Sequence, residues 1–452
     1  MAGLLCICGD SEAQDEGKRP GLLFGGALIE KRKVVVEVDK ALPTGALRLM
    51  NARPEAIKSA CHAVLPLCVH GDGSPLLHAQ VLRTMSQAFR SLIFGLGLPA
   101  PQTDTILGGG PELDIYLSNQ SNSLAVRADG QGYAPDTSSG HCVLPAQSAT
   151  LASAAQCVGE AIALGLDAAE APSIRSAYGA YVALLTQGPS TQFLQQVDDA
   201  QANPQLALLR RESTGRDRAG ALFFAYAEAQ LGLGKPGELA TALLQLSRST
   251  QSKHALRYNN EPDLMDVLRR AVNNNPSDVA DLMQGFAISR AFLGSRADGQ
   301  HAPEYRFLGD SGRIRIDWSL KYSSLPRNVA GTRAVEPTGS VYLWLELDQV
   351  LPPSQNGVAN RLGVRASWEQ PVPFKWSAIA LDKAGREIRR WEFPYLERGT
   401  KVEKSLQGFE GAAGILFVGV NLGGVDLSHP FDPDYEPWEP HSFSLYLSEL
   451  PK

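Results

Sequence analysis

Between Ala149 and Leu293 the apolar residues recur every three or four positions, and beyond Gly294 to Pro303 they alternate with polar ones. These two periods predict a helix-rich stretch followed by a run of strands. Helices are expected over Leu151 to Leu166, Ser173 to Leu185, Ala219 to Leu231, Glu238 to Ser247, Asp263 to Val272 and Asp278 to Leu293. Gly188-Pro189, Gly234-Lys-Pro236 and Asn273-Asn-Asn-Pro276 supply the breaks. An earlier helix opens at Ser74-Pro75, as N-cap and first-turn proline, and carries the stripe Leu77, Val81, Met85, Phe89, Ile93 and Leu96 up to Gly97. Lys33 to Val38 and Glu112 to Leu117 read as strands in the same half.

In the second half, alternation predicts strands at Ile314 to Leu320, Val341 to Leu347, Leu362 to Trp368, Phe374 to Leu381, Glu387 to Phe393, Ile415 to Asn421 and Ser442 to Leu447. Asp382-Lys-Ala-Gly385 is the expected hairpin turn. The chain is therefore expected to be α+β, with a polar lead-in over 1–20, a helix-rich domain over 21–300 and an antiparallel β-sandwich of jelly-roll or Ig-like type over 301–452.

A net charge of -6 gives no electrostatic reason for a nucleic-acid partner or an anionic membrane. No apolar run approaches the ~20 residues that span a bilayer. Met1 to Gly9 is apolar and leads into Ser11-Glu12-Ala13, which reads as a shortened export signal. A bulky residue precedes each of Cys6 and Cys8, which argues against a lipid anchor. Cys61, Cys68, Cys142 and Cys157 form an even set suited to two disulfides, with Cys61–Cys68 and Cys142–Cys157 the preferred of three pairings. A secreted, periplasmic or cell-envelope location follows from these features as an expectation.

Leu96-Gly-Leu-Pro-Ala-Pro101, Glu112-Leu-Asp-Ile-Tyr-Leu117, Cys157-Val-Gly-Glu-Ala-Ile162, Leu164-Gly-Leu-Asp167 and Asn260-Glu-Pro-Asp-Leu264 together resemble exported bacterial proteins related to thermolysin-like zinc metallopeptidases, especially those of myxobacterial-type genomes. The resemblance implies a peptidase-like α/β domain followed by a sandwich. It also implies a helix bearing His-Glu-x-x-His, whose two imidazoles hold zinc while the Glu serves as general base. The matching positions are Gln156, Cys157 and Glu160, and no pair among the eight histidines is spaced four apart. No Asp or Glu lies between Glu170 and Asp198 to act as a third ligand. The expectation is a catalytically inactive, metallopeptidase-like scaffold or binding protein with no zinc and no cofactor.

Glu160, Asp167 and Glu170 could serve acid-base catalysis in a hydrolase with an unrecognised site, but read more simply as solvated polar-face groups. His141 beside Cys142 reads as an exposed neighbour of a bridge residue. Tyr342 and Trp344 lie opposite the aliphatic positions of their strand and could stack on a sugar, which makes a carbohydrate-binding sandwich an alternative. Asp426, Asp432, Asp434 and Glu436 are weak calcium candidates in a proline-stiffened loop. The partner expected is an unknown protein or glycan.

Overall fold

The computed structural model describes residues 53–56, 59–71, 73–104, 107–119, 123–129, 137–146, 149–208, 215–232, 234–248, 262–272, 276–347, 360–369, 372–423 and 440–450. The strand expected at Lys33 to Val38 and the acidic loop with Asp426, Asp432, Asp434 and Glu436 lie outside them, as does the export-signal stretch. The fold is α+β.

The first half is built on a five-stranded sheet of β1 (Ser59–Cys61), β2 (Leu67–His70), β3 (Leu113–Ser118), β4 (Ala125–Ala128) and β5 (Gly140–Pro145) in the order β1-β2-β3-β5-β4. The three central strands are parallel and both edges antiparallel. Alternation sends Leu67, Val69, Leu113, Ile115, Cys142 and Leu144 to one face, where they join a single large core with the helices. Those helices are α1 (Pro75–Phe89), α2 (Leu151–Leu166), α3 (Pro172–Gln187), α4 (Thr191–Ala202), α5 (Ala221–Leu231), α6 (Glu238–Ser247), α7 (Leu264–Ala271) and α8 (Pro276–Ala291). Ser74 caps α1 through its side chain, as its spacing predicts, while Asp263, expected in the first turn of α7, stands just before it and caps it through its side chain. Beyond Phe89 the backbone of α1 widens into a π turn over Arg90–Gly95. The sequence gives no warning of α4: its twelve residues are mostly Gln, Asp and Ala, and only Phe193, Gln196, Val197 and Gln201 are buried.

The second half is a two-sheet sandwich. One sheet runs β11 (Glu387–Glu392), β10 (Phe374–Leu381), β13 (Gly414–Asn421), β8 (Ser340–Glu346), β6 (Trp318–Lys321). The other runs β12 (Lys401–Gln407), β9 (Arg361–Trp368), β14 (Phe443–Glu449), β7 (Arg327–Ala330). The expected all-antiparallel pairing has one exception, because β6 lies parallel to β8. Asp382 to Gly385 does form the β10–β11 turn, with Gly385 at φ 78°.

Val341, Leu343, Leu345, Phe374, Trp376, Ile415 and Phe417 point into the core between the sheets. The opposite face of the same strands, Tyr342, Ile379, Leu381, Leu416, Val418 and Val420, belongs to the helical core instead. Polar bonds seal that junction. Gln284 of α8 donates to Ser377 Oγ and Val418 O, both at 3.0 Å, Tyr342 donates to Ala287 O at 2.8 Å, and Lys375 pairs with Asp281 at 2.7 Å.

Candidate functional site

Helix α2 begins at a capping box in which Thr150 and Ser153 satisfy each other's backbone N–H groups. On its inner side Cys157 is bonded to Cys142 of β5, which ties the helix to the sheet, and Cys61 is likewise bonded to Cys68 across β1 and β2. The face with Gln156 and Glu160 packs on α3. Gly159 and Gly179 meet there without side chains, and a Cβ on Gly179 would stand 2.4 Å from Glu160 Cγ and 3.0 Å from Gln156 O.

Glu160 is consequently buried, and accepts from Gln156 Nε2 at 2.7 Å and from the Ser176 hydroxyl at 3.4 Å. Burial pushes its carboxyl upward against the pull of Arg218 and Arg175. Asp217, close by and also bonded to Ser176, is raised to about 7 by burial and by the Glu160 charge. These residues do not fit zinc. A neutral amide, a disulfide sulfur and one carboxylate already bonded to Gln156 and Ser176 offer no ligand set of the kind zinc takes.

Asp167 and Glu170 are not the solvated polar-face groups their sequence spacing suggests, because both are buried at the α2–α3 turn. Asp167 accepts from the backbone N–H of Ala169 and Glu170 and from Ser247 Oγ of α6 at 2.9 Å. Glu170 accepts from the N–H of Ala171 at 2.9 Å and of Leu264, the first residue of α7, at 2.8 Å. They clasp four helices at one corner, and burial together with the Asp167 charge raises Glu170 to about 8.

His141 is likewise buried rather than exposed, at 0% accessibility. It belongs to a charged cluster on the sheet face turned away from α1 and α2, where β2, β3 and β5 place His70, Asp114, Tyr116 and His141 side by side. Arg53 enters this cluster and pairs with Asp104, Asp114 and Asp129, the last at 2.6 Å. His70 Nε2 lies 2.6 Å from Asp114, His141 Nδ1 lies 2.8 Å from Asp129, and Tyr116 stacks on His70. Hydrogen bonds from His141 and Arg53 outweigh burial and lower Asp129, whereas burial outweighs Arg53 at Asp104 and raises it to about 6. Among the described residues, Cys68, His70 and Asp114 are the one set of three groups close enough to share a metal, and Cys68 is spent in its disulfide. The period-two placement of Cys68 and His70, and of Asp114 and Tyr116, was the signal available for this polar face.

Tyr342 is fully buried under α8 and is not available to a ligand, which corrects the expectation of an exposed aromatic pair. Trp344 is half-buried and lines a cleft of about 860 Å³ where the sandwich meets the helical half.

No family model and no curated protein sequence matches this chain. Among solved structures, the chain is similar to a pre-peptidase C-terminal domain of collagenase from Bacillus anthracis, with 6% identity over 30% of this chain and 99% of that domain and a TM-score of 0.19. It is also similar to a chain described as CBM4 structure and function, with 12% identity over 27% of this chain and 78% of the other and a TM-score of 0.15. At such TM-scores neither likeness carries an argument about function.

Proposed function

We propose that this chain is a non-catalytic, metallopeptidase-like protein that acts by binding, with its helical half serving as a rigid scaffold for the sandwich. One observation carries the reading. The α2 segment that would bear the metal ligands has its cysteine in a disulfide and its polar face pressed on α3 at Gly159 and Gly179, so it offers neither ligands nor a cleft. The two disulfides support work in an oxidising compartment, outside the cell or in its envelope. Among the described residues no helix is long and apolar enough to cross a membrane.

The test is elemental mass spectrometry on the full chain purified without a metal-affinity tag, run beside a casein-cleavage assay. Absence of stoichiometric zinc and of cleavage is the expected result. One zinc per chain, or cleavage abolished by a chelator, overturns the reading.

A further inference from the structure

The cleft at the junction of the two halves has a chemistry unlike the rest of this acidic chain. Its walls carry Arg296, Arg313, Arg315 and Lys383, and the one carboxylate lining it, Asp382, is paired with Arg386 at 2.8 Å. Among the described residues no carboxylate lies within 4 Å of Arg296 or Arg313. Arg296 makes a long 3.4 Å bond to Ile314 O, and burial together with the Arg313 charge depresses its pKa. Arg315 reaches Gln205 at 2.9 Å and Asp317 only at 3.6 Å. Arg296 and Arg313, whose like charges act on each other with no described carboxylate beside them, cost stability that a bound anion would recover.

The floor is aromatic. Trp344 lies across Gly414 of the neighbouring strand, where a Cβ would come within 2.0 Å of Cζ2, so the indole rests flat where only glycine leaves room. A flat indole beside guanidinium groups suits a ring with an apolar face and anionic substituents.

Strands β8, β10 and β13, which bring Trp344, Leu381 and Leu416 to the cleft, each have strands on both sides. Their backbone is spent in the ladders, which disfavours a peptide added as an extra strand. From these features we infer that the cleft binds an anionic saccharide, a chain of sugar rings bearing carboxylate or sulfate groups, with Trp344 under one ring and Arg296, Arg313, Arg315 and Lys383 on its charges. This rests on the binding reading above and names its ligand.

The experiment is calorimetric titration of the full chain with a heparin oligosaccharide, an oligogalacturonate, a neutral dextran of matched size and polyglutamate. Oligogalacturonate carries carboxylates alone whereas heparin carries carboxylates and sulfates, so binding of heparin without oligogalacturonate assigns sulfate as the recognised group, and binding of oligogalacturonate shows that carboxylate suffices. Binding of at least one of them, weakening with added salt, with dextran and polyglutamate inert, is expected. Trp344→Ala and the exposed pair Arg313→Glu/Lys383→Glu should each lower affinity by about tenfold or more. Trp344→Phe, which keeps a ring, should lose less and guards against misreading a folding defect.

Failure of both acidic saccharides to bind, equal binding of polyglutamate, or affinity untouched by the exposed charge reversal would each overturn the inference. Those failures leave the zinc measurement standing, while a zinc-loaded chain that still binds saccharide through Trp344 would remove the scaffold reading and keep the cleft.

Discussion

Gly159 and Gly179 face each other where α2 crosses α3, and a Cβ on Gly159 would fall 2.9 Å from Gly179 Cα and 2.4 Å from Val182 Cγ2. Alanine would favour either helix by about 1 kcal/mol in isolation. Here the obstacle includes backbone, which yields less than a side-chain tip, and overpacking costs about 1–3 kcal/mol. Gly159→Ala should therefore lower the urea midpoint, and Gly159→Val should lower it further; unchanged midpoints would mean that the helices separate freely and that the face of Glu160 is open.

Arg53 is bonded to three buried carboxylates, Asp104, Asp114 and Asp129, so its removal withdraws the cation they share. Losing one partner of a buried ion pair costs about 3–5 kcal/mol. The exposed pair Arg365–Glu403, at 2.7 Å, is worth about 0–1 kcal/mol. Chemical denaturation of Arg53→Met and Arg365→Met should separate the two cases clearly, and equal small losses would show that Arg53 is dispensable.

Much of this architecture was legible from alternation and capping, and the reasons for the exceptions are physical. Glu238–Ser247 and Phe374–Leu381 have the limits that their apolar periods predict, because hydrophobic contrast at those ends is sharp. The cysteine pairing also follows the preferred choice, since Cys61 and Cys68 sit opposite each other on a short hairpin. Parity placed Tyr342 and Trp344 on one face, but parity cannot say what covers a face, and α8 buries the first while the cleft leaves the second accessible. Asp114 stands on β3, whereas Arg53, Asp104 and Asp129 come from segments outside the strands and meet it only when the sheet and its connections are folded. The cationic cleft likewise needs Arg296 and Lys383 brought together from opposite halves of the chain.

Stability should decline as pH rises from about 4 to 8. Asp104 titrates near 6, Asp217 near 7 and Glu170 near 8, each raised chiefly by burial. In the unfolded chain all three ionise near pH ~4, so over that window the folded state holds more protons and rising pH favours unfolding. His301 adds to the trend: burial lowers it, but bonds to Glu387 and Asp298 more than reverse this, and its contribution is lost as pH climbs through the raised value. Glu387, brought down to about 2 against burial by bonds from His301 and Arg390, adds stability that is complete above its unfolded value near pH ~4 and is lost only as pH falls toward 2, outside this window. The melting temperature should be higher at pH 5 than at pH 8, and Asp217→Asn should shrink the difference in unfolding free energy between those two pH values, read by denaturant titration, by on the order of 2 kcal/mol. A flat profile would contradict the burial of these groups.

The disulfides should contribute unequally. Closing 15 residues between Cys142 and Cys157 restrains the unfolded chain by about 3 kcal/mol, and closing 7 between Cys61 and Cys68 by about 2 kcal/mol. Paired serine variants compared by denaturation should follow that order, and a larger loss for the shorter loop would refute it.

Strands β10 and β13 are buried at every residue because each of their two faces serves a different core. A sandwich with such a sheet cannot be passed between proteins as a bead on a string. Any exchange would have to carry α8 with it, since Gln284, Ala287 and Asp281 complete contacts that Ser377, Tyr342 and Lys375 begin. Evolution can vary the loops at the outer rim of this molecule residue by residue, but the two halves must change together, as one inheritance.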